Sequence, residues 1–389
     1  MRVFNMGGQP PVTFGAGRLR KVPELVAAMG GGPVLIVADA MLAELGVTER
    51  LTKGLAKAGI AHVLAADVAG EPKQALIDAL CVKARESDAK LIIGMGGGAA
   101  MDAAKLVAAI AKCGEAAEVF DLAAKPLPAD RLPSIAIPTT AGTGSEVTRT
   151  SVVSRADGSK GWFWGEELLF TQAVLDPELT LSLPPHLTAW TGIDAVAHAL
   201  EGSTARTTSP AGLLFGLEAL RILREYLPKA VADGSDVEVR GKVLWGSMVA
   251  GLALHNCNTH MGHNISHAIG SLARVHHGLA TGLGLEVAMP WLVERPEGAE
   301  NYALAAEALG GAREASALPG ALSALMRECG IAAELPAECA GVEVAALAAA
   351  MKDPANFGMS QNAACKPSVE GLDEIAGMVM RLPVAAKVA

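Results

Sequence analysis

The apolar positions of the chain change their period once. Up to about residue 140, short aliphatic runs alternate with longer segments whose apolar residues recur at i, i+3 and i+4. VLIVAD (34–39), AHVLAADV (61–68), KLIIGMGGG (90–98) and SIAIPTT (134–140) read as buried strands. VTERLTKGLAKAG (47–59) and KQALIDALCVKARES (73–87) read as amphipathic helices, the first ended by glycine. Strands of this kind, separated by helices, predict a parallel sheet covered on both faces. Beyond DPELTLSLPPHLTAWTG (176–192) the strand-like runs stop. GIDAVAHALEG, PAGLLFGLEALRILREYL, VRGKVLWGSMVAGLALHN, YALAAEALGG, ALSALMRECG and LDEIAGMVMRL all carry helical periodicity. The expected organisation is an α/β domain over residues 1–184 followed by an all-α domain over residues 185–389.

Composition narrows the function classes. About half of the 389 residues are apolar and only 4% are aromatic. The apolar weight comes from alanine spread along the chain, with no continuous run of the about 18–20 residues that a membrane span needs. The start, MRVFNMGGQPP, lacks the apolar core of a signal peptide. A net charge of −9 without any Lys/Arg cluster argues against nucleic acid and anionic membrane surfaces as partners. The six cysteines form no C-x-x-C pair, which fits a reduced, cytoplasmic protein.

Two loops follow strands and carry glycine. GMGGGAAMDAAKL starts at Gly94 and runs into a helix near Ala99, an arrangement that lets backbone amides and a helix N-terminus approach a phosphate. Its G-x-G-G-G spacing, after the third predicted strand, does not match the standard dinucleotide fingerprint, and a purely structural turn is the competing reading. PTTAGTGSEVT (138–148) sets Thr139, Thr140, Thr143 and Ser145 around two glycines, which suits ribose, pyrophosphate or carboxamide contacts; a solvated turn is the alternative. Both loops lie at carboxyl ends of parallel strands, where open α/β sheets bind ligands. Asp39 closes the first strong strand, where a carboxylate can accept from a ribose diol and repel a 2′-phosphate. Glu71 can add to that repulsion or remain a solvated charge.

Five of the nine histidines fall between His260 and Gly278. Asp194 and His198 are four apart on one predicted helix, and His263 and His267 are four apart on another, so each pair shares a face. His277 follows across a short loop. Such an arrangement gathers three or four donors around a divalent cation. Imidazole suits Zn²⁺ and Fe²⁺, and the carboxylate leans towards Fe²⁺. A set without cysteine points to an open catalytic site over a closed structural zinc site. Ordinary hydrogen-bonded helix histidines are the competing reading, weakened by two such pairs on apolar helices, where unpaired polar groups are costly.

The motifs GGGAAMDAAK (96–105), PTTAGTGSEVT (138–148), DPELTLSLPP (176–185), TGIDAVAHALEG (191–202) and HNISHAIGSLARVHHG (263–278), in this order and spacing, resemble the iron-containing (group III) alcohol dehydrogenases over nearly the whole chain. The resemblance implies a Rossmann-like N-terminal domain that binds the dinucleotide and a helical C-terminal domain that binds the metal, the dehydroquinate synthase-like architecture. It implies a metal-dependent, NAD(H)-linked alcohol dehydrogenase or aldehyde reductase that transfers hydride between a metal-bound alcohol and nicotinamide. Related alternatives are glycerol or glycerol-1-phosphate dehydrogenase and a dehydroquinate synthase-like lyase.

Carried over by position, the implied metal ligands are Asp194, His198, His263 and His277, with Fe²⁺ as the ion and Zn²⁺ as the alternative. His267 matches the proton-relay position near the nicotinamide. Gly97, Gly98 and Asp102 match the pyrophosphate loop, and Thr139, Thr140 and Thr143 the second cofactor loop. Asp39 matches the residue tied to NAD preference, and Lys160 is the match for a cofactor-side lysine. A small alcohol or aldehyde is the implied substrate. A homodimer or larger homo-oligomer is the implied assembly, with an exposed strand near QPPVTFGAG (9–17) as a candidate pairing edge. The chain departs from the family at Ala99, where Ser or Thr is usual, at Glu71, where Asn is common, and at SLARV (271–275), which lacks the usual aromatic. Arg274 in that stretch can pair with an anionic substrate if it points inward, or stay solvated. His260 and His276 match no ligand position and read as supporting residues.

Overall fold

Eight strands carry the first half of the chain in this computed structural model, which describes residues 3–386. They are β1 (Val12–Phe14), β2 (Val34–Asp39), β3 (His62–Val68), β4 (Leu91–Gly96), β5 (Ser134–Pro138), β6 (Thr150–Ser154), β7 (Lys160–Trp164) and β8 (Gln172–Leu175). Six form one parallel sheet in the order β1-β8-β5-β4-β2-β3, and β6 and β7 form an antiparallel hairpin. Helices α1 (Val22–Ala28), α2 (Ala40–Glu44), α3 (Val47–Lys57), α4 (Gln74–Glu86) and α5 (Gly98–Ile110) connect the strands.

The strand period of two sorts the sheet's side chains. Val34, Ile36, Ala38, Leu91, Ile93, Met95, Ile135 and Ile137 share a buried cluster with Leu19, Val22, Val26, Leu51 and Leu55. Each such aliphatic contributes about 1.5–3 kcal/mol by burial. On the opposite face glycine admits α5. A Cβ on Gly94 would lie 2.7 Å from Ala104 Cβ, and one on Gly96 would lie 2.7 Å from Ala100 Cβ. Connections leave the β2/β4 boundary in opposite directions, β2 to β3 on one side and β4 to β5 on the other. That boundary is the topological switch point, and Asp39 and Gly97 stand at its carboxyl end.

The expected strand at 34–39 is present at those bounds, and those at 61–68, 90–98 and 134–140 are present but shorter. β8 has only four residues, too few to register as a run, yet it lies between β1 and β5. The strand expected near residues 9–17 is β1, which pairs with β8 of its own sheet through Val12↔Ala173 and its neighbours.

From Pro185 onward the structure is helical: α6 (Pro185–Thr204), α7 (Pro210–Ala232), α8 (Val237–Cys257), α9 (Met261–Leu272) and α10 (His277–Val293), followed by α11 (Ala299–Ala308), α12 (Leu318–Glu328), α13 (Val344–Met351), α14 (Pro354–Ser360) and α15 (Val369–Val379). Caps set the starts. Ser209 Oγ accepts from Gly212 N, and Asp236 accepts from Glu238 N and Val239 N. α6 packs against α7, α8 and α10. No helix among the described residues is long and apolar enough to cross a membrane.

The chain divides into two compact units, but not at one point. One comprises residues 8–140 and 144–182; the other comprises residues 3–7, 141–143 and 183–386. Residues 141–143 join the helical unit because Gly142 has no side chain. A Cβ there would lie 2.7 Å from Thr191 O.

Candidate metal centre and cofactor loops

Three helices of the helical unit bring the polar residues together. α6 presents Asp194 and His198 from successive turns, α9 presents His263 and His267, and α10 begins at His277. The approach of α10 to α6 depends on Gly278, where a Cβ would lie 2.1 Å from Trp190 O and 3.0 Å from Asp194 Cβ. One ligand atom each from Asp194, His263 and His277 lie within 4.8 Å of one another. Asp194 Oδ1 is 3.7 Å from both His263 Nε2 and His277 Nε2. His198 Nε2 lies 2.9 Å from His263 Nε2.

Hydrogen bonds around these rings assign the tautomers. His198 Nδ1 faces Gly142 O at 3.3 Å, and a carbonyl can only accept, so Nδ1 carries the proton. His263 Nδ1 donates to Glu201 Oε2 at 2.6 Å. Ser266 Oγ donates to His277 O at 3.1 Å and therefore accepts from His277 Nδ1 at 2.9 Å. With Nδ1 engaged in each ring, all three turn Nε2 inward. Burial lowers the pKa of His198, which keeps that ring neutral near pH 7.

This arrangement fits a divalent transition ion. Two imidazole nitrogens 2.9 Å apart are bridged by a proton or by a cation. A proton can serve two acceptors. Here a third imidazole nitrogen and Asp194 Oδ1 converge as well, and that buried oxygen accepts no hydrogen bond from the described residues. One carboxylate and three imidazoles suit Fe²⁺ or Zn²⁺.

Behind the histidines sits a residue that sequence reasoning missed. Glu201 of α6 is fully buried and accepts from His260 N (3.0 Å), Gly262 N (2.6 Å) and His263 Nδ1. Burial opposes its charge, but His260, His263 and these donors hold the carboxyl down at about 2. A glutamate three residues after His198 reads from sequence as a solvated helix charge, and no spacing rule marks it. His267 is half-buried one turn after His263, its ring 5.5 Å from that of His277. The His276 ring lies tilted against Trp190 at 5.2 Å, and Arg274 is exposed without an ion-pair partner among the described residues.

In the α/β unit several predicted cofactor residues meet at the switch point. A Cβ on Gly96 would lie 3.3 Å from Asp39 Cβ, and one on Gly97 would lie 3.5 Å from the Thr140 side chain. Thr139 N donates to Gly96 O at 2.9 Å. Gly97 caps α5 and Gly98 opens it, so the first amides of a 13-residue helix face this corner. Asp39 accepts from Met41 N and is half-buried; burial raises its pKa. Thr143 lies in the segment counted with the helical unit.

Asp102 and Lys160, the other two expected cofactor-side residues, have partners within the α/β unit. Asp102 Oδ1 accepts from Ser145 Oγ (2.6 Å) and Oδ2 from Val152 N (2.8 Å), so its carboxylate ties both loops to β6. The buried Lys105 Nζ donates to Thr148 Oγ1 and Thr150 O beside it, and burial lowers its pKa to about 8. Lys160 Nζ pairs with Glu71 Oε1 at 2.5 Å, and Ser154 Oγ donates to Glu71 Oε2. Lys160 is therefore engaged by the segment after β3, through a Glu71 that is itself half-exposed. In the hairpin, Arg149 lies over the Trp164 ring at 4.3 Å, and Trp162 pairs with Val152.

Two family models account for most of the chain. The iron-containing alcohol dehydrogenase model matches residues 10–177, and the C-terminal model of the Fe-containing alcohol dehydrogenase family matches residues 188–366. The chain belongs to the iron-containing alcohol dehydrogenase family. Among curated members it is 36% identical to long-chain-alcohol dehydrogenase 1 of Geobacillus thermodenitrificans over 286 residues, covering 73% of this chain and 72% of that protein. It is 32% identical to sulfoacetaldehyde reductase of Bilophila wadsworthia over 304 residues, 77% of each. Among solved structures, sulfoacetaldehyde reductase from Bifidobacterium kashiwanohense in complex with NAD⁺ superposes with a TM-score of 0.89 at 27% identity, over 98% of this chain and all of that one.

Proposed function

We propose that this family member is an NAD-dependent, metal-dependent alcohol dehydrogenase or aldehyde reductase in which Asp194, His198, His263 and His277 hold one divalent cation. The observation that carries the reading is the convergence of an Asp194 oxygen, which accepts no hydrogen bond among the described residues, with nitrogens of His263 and His277, and the approach of His198 Nε2 to His263 Nε2 at 2.9 Å. Iron is the proposed ion, on the family and on the carboxylate in the donor set, with zinc as the alternative. When bound, the cation supplies a Lewis acid to an alcohol oxygen and NAD supplies the hydride acceptor.

The chain's own residues do the rest. Gly142, Glu201 and Ser266 hold the three imidazoles in the tautomer that leaves Nε2 bare. His267, on the same face of α9 as His263 and less buried, takes the substrate's hydroxyl proton on a ring nitrogen and passes it to solvent. In the α/β domain, 1–184, the amides at Gly97 and Gly98 receive the pyrophosphate, and Thr139, Thr140 and Thr143 offer hydroxyls to the cofactor. Asp39 accepts from the ribose diol and disfavours a 2′-phosphate. Asp102 and Lys160 act behind these loops, through Ser145 and Val152 and through Glu71. The helical domain, 185–389, is the metal-binding and catalytic part. Free cysteines throughout support a reduced, cytoplasmic setting. The edge strand β1 supports assembly as a homo-oligomer.

The test is anaerobic reconstitution with Fe²⁺, in parallel with Zn²⁺, followed by NADH formation from primary alcohols, diols and hydroxy or sulfo acids; the acids are included because Arg274 is exposed and unpaired. Metal-dependent NADH formation is expected. Stoichiometric metal and tight NAD binding without turnover of any alcohol overturns the reading in favour of a lyase.

A further inference from the structure

The carboxylate of Glu201 does two things at once. Its oxygens accept the His260 and Gly262 amides at the start of α9, so it caps that helix from α6. Its Oε2 also accepts from His263 Nδ1 at 2.6 Å. A cap alone does not need a charge, since neutral Ser, Thr and Asn cap helices well, and a fully buried carboxylate is costly unless its charge is used.

The neighbouring His260 leaves the hydrogen-bonding position on Oε2 to His263. His260 Nδ1 accepts from Met261 N at 2.8 Å, so its proton is on Nε2. That proton goes to Thr204 Oγ1 at 3.0 Å, whose own hydroxyl donates to Leu200 O. Both ring nitrogens of His260 are thereby engaged by Met261 N and Thr204 Oγ1. His260 Nδ1 lies 3.4 Å from Glu201 Oε1, but of the two rings only His263 hydrogen-bonds to the carboxylate.

We propose that Glu201 is a positioning residue of the metal centre, which locks His263 with its proton on Nδ1 and delivers an electron-rich Nε2 to the cation, in addition to seating α9. This rests on the reading of Asp194, His198, His263 and His277 as the metal site. The orientation of a ligating imidazole by a carboxylate on its other nitrogen raises ligand basicity, and loss of such a partner weakens metal binding by about 10–100-fold.

The test compares Glu201→Gln with the wild-type chain, both stripped of metal and titrated with Co²⁺ and Zn²⁺. Glutamine can still cap with its amide oxygen, but it puts an NH₂ where one acceptor stood. Weakening of the cation Kd by about 10–100-fold is expected, beyond any change in melting temperature of the stripped protein. An unchanged Kd overturns the proposal, and an unchanged Kd with a lower melting temperature leaves Glu201 a cap only. A wild-type chain that binds neither cation refutes the metal site itself, a separate failure. Should the variant not fold, ¹⁵N-histidine NMR of the Zn²⁺-loaded wild type decides: His263 protonated at Nδ1 and coordinated through Nε2 supports the proposal, and coordination through Nδ1 overturns it.

Discussion

The two halves of the molecule treat their polar groups in opposite ways. Around the glycine corner of the α/β unit the chain pairs its own groups: both oxygens of Asp102 have donors, Thr139 N reaches Gly96 O, and Asp39 accepts from Met41 N. What is offered outward there is main-chain amide and hydroxyl. In the helical unit the arrangement is reversed. The outer nitrogens of three imidazoles are tied to a carbonyl, a carboxylate and a hydroxyl, while the inner nitrogens meet one another and Asp194 Oδ1. Under the proposed reading, the first is a finished surface that recognises a ligand and the second is a core that a cation completes.

The comparison breaks most sharply at His263. Its replacement by alanine is expected to take metal content from one ion per chain to near none and to abolish turnover, while NAD binding, followed by fluorescence, persists. Retention of one tightly held ion at full activity would end the ligand assignment. Less drastic is His267→Ala: turnover falls by about 10²–10⁴-fold with metal content intact. A parallel loss of metal would move His267 into the ligand set.

Packing comes next. Gly278→Ala forces a methyl against Trp190 O, 2.1 Å from the ideal Cβ, at the first turn after His277. A destabilisation of about 3 kcal/mol is expected, with weaker metal binding, read by calorimetry and metal titration. Unaltered stability and affinity would mean that α10 shifts without disturbing the centre.

The smallest effect lies in the α/β unit. Burial raises the Glu146 carboxyl from 4.5 to about 7, so between pH 5 and 7 the folded state holds more protons than the unfolded state. Stability therefore falls as pH rises through that window, by about 2 kcal/mol from this group. Glu146→Gln should flatten that slope in melting curves, and an unchanged slope would show that Glu146 is ionised in the fold. Lys105, lowered to about 8, titrates above this window.

Spacing made the inner residues legible. Two i, i+4 pairs and His277 name a candidate set that contains the converging groups and His267, and the family resemblance sets His267 apart from the ligands. What supports them was not legible. The role of Glu201 depends on α9 landing on α6, and that of Gly142 on its carbonyl, which any residue type would possess. The loop 138–148 was read for its hydroxyls, whereas its glycine carbonyl faces His198. Asp102 and Lys160 stood in recognisable motifs, yet their partners are 43 to 89 residues distant in sequence. The sheet was legible where runs reached five or six aliphatic residues. It was not legible at β8, whose place between two strands comes from pairing and not from its own pattern.

The 2.9 Å separation of the His198 and His263 nitrogens also bears on how long the chain survives in a cell. A ligand that binds only the folded form adds RT ln(1 + [L]/Kd), about 4 kcal/mol at a thousandfold excess over Kd. That is a large part of the about 5–15 kcal/mol margin typical of a folded domain. Under the proposed reading, iron supply governs the standing amount of this enzyme as well as its activity. A shortage raises the unfolded fraction, proteases remove it, and abundance follows the nutrient without a dedicated sensor.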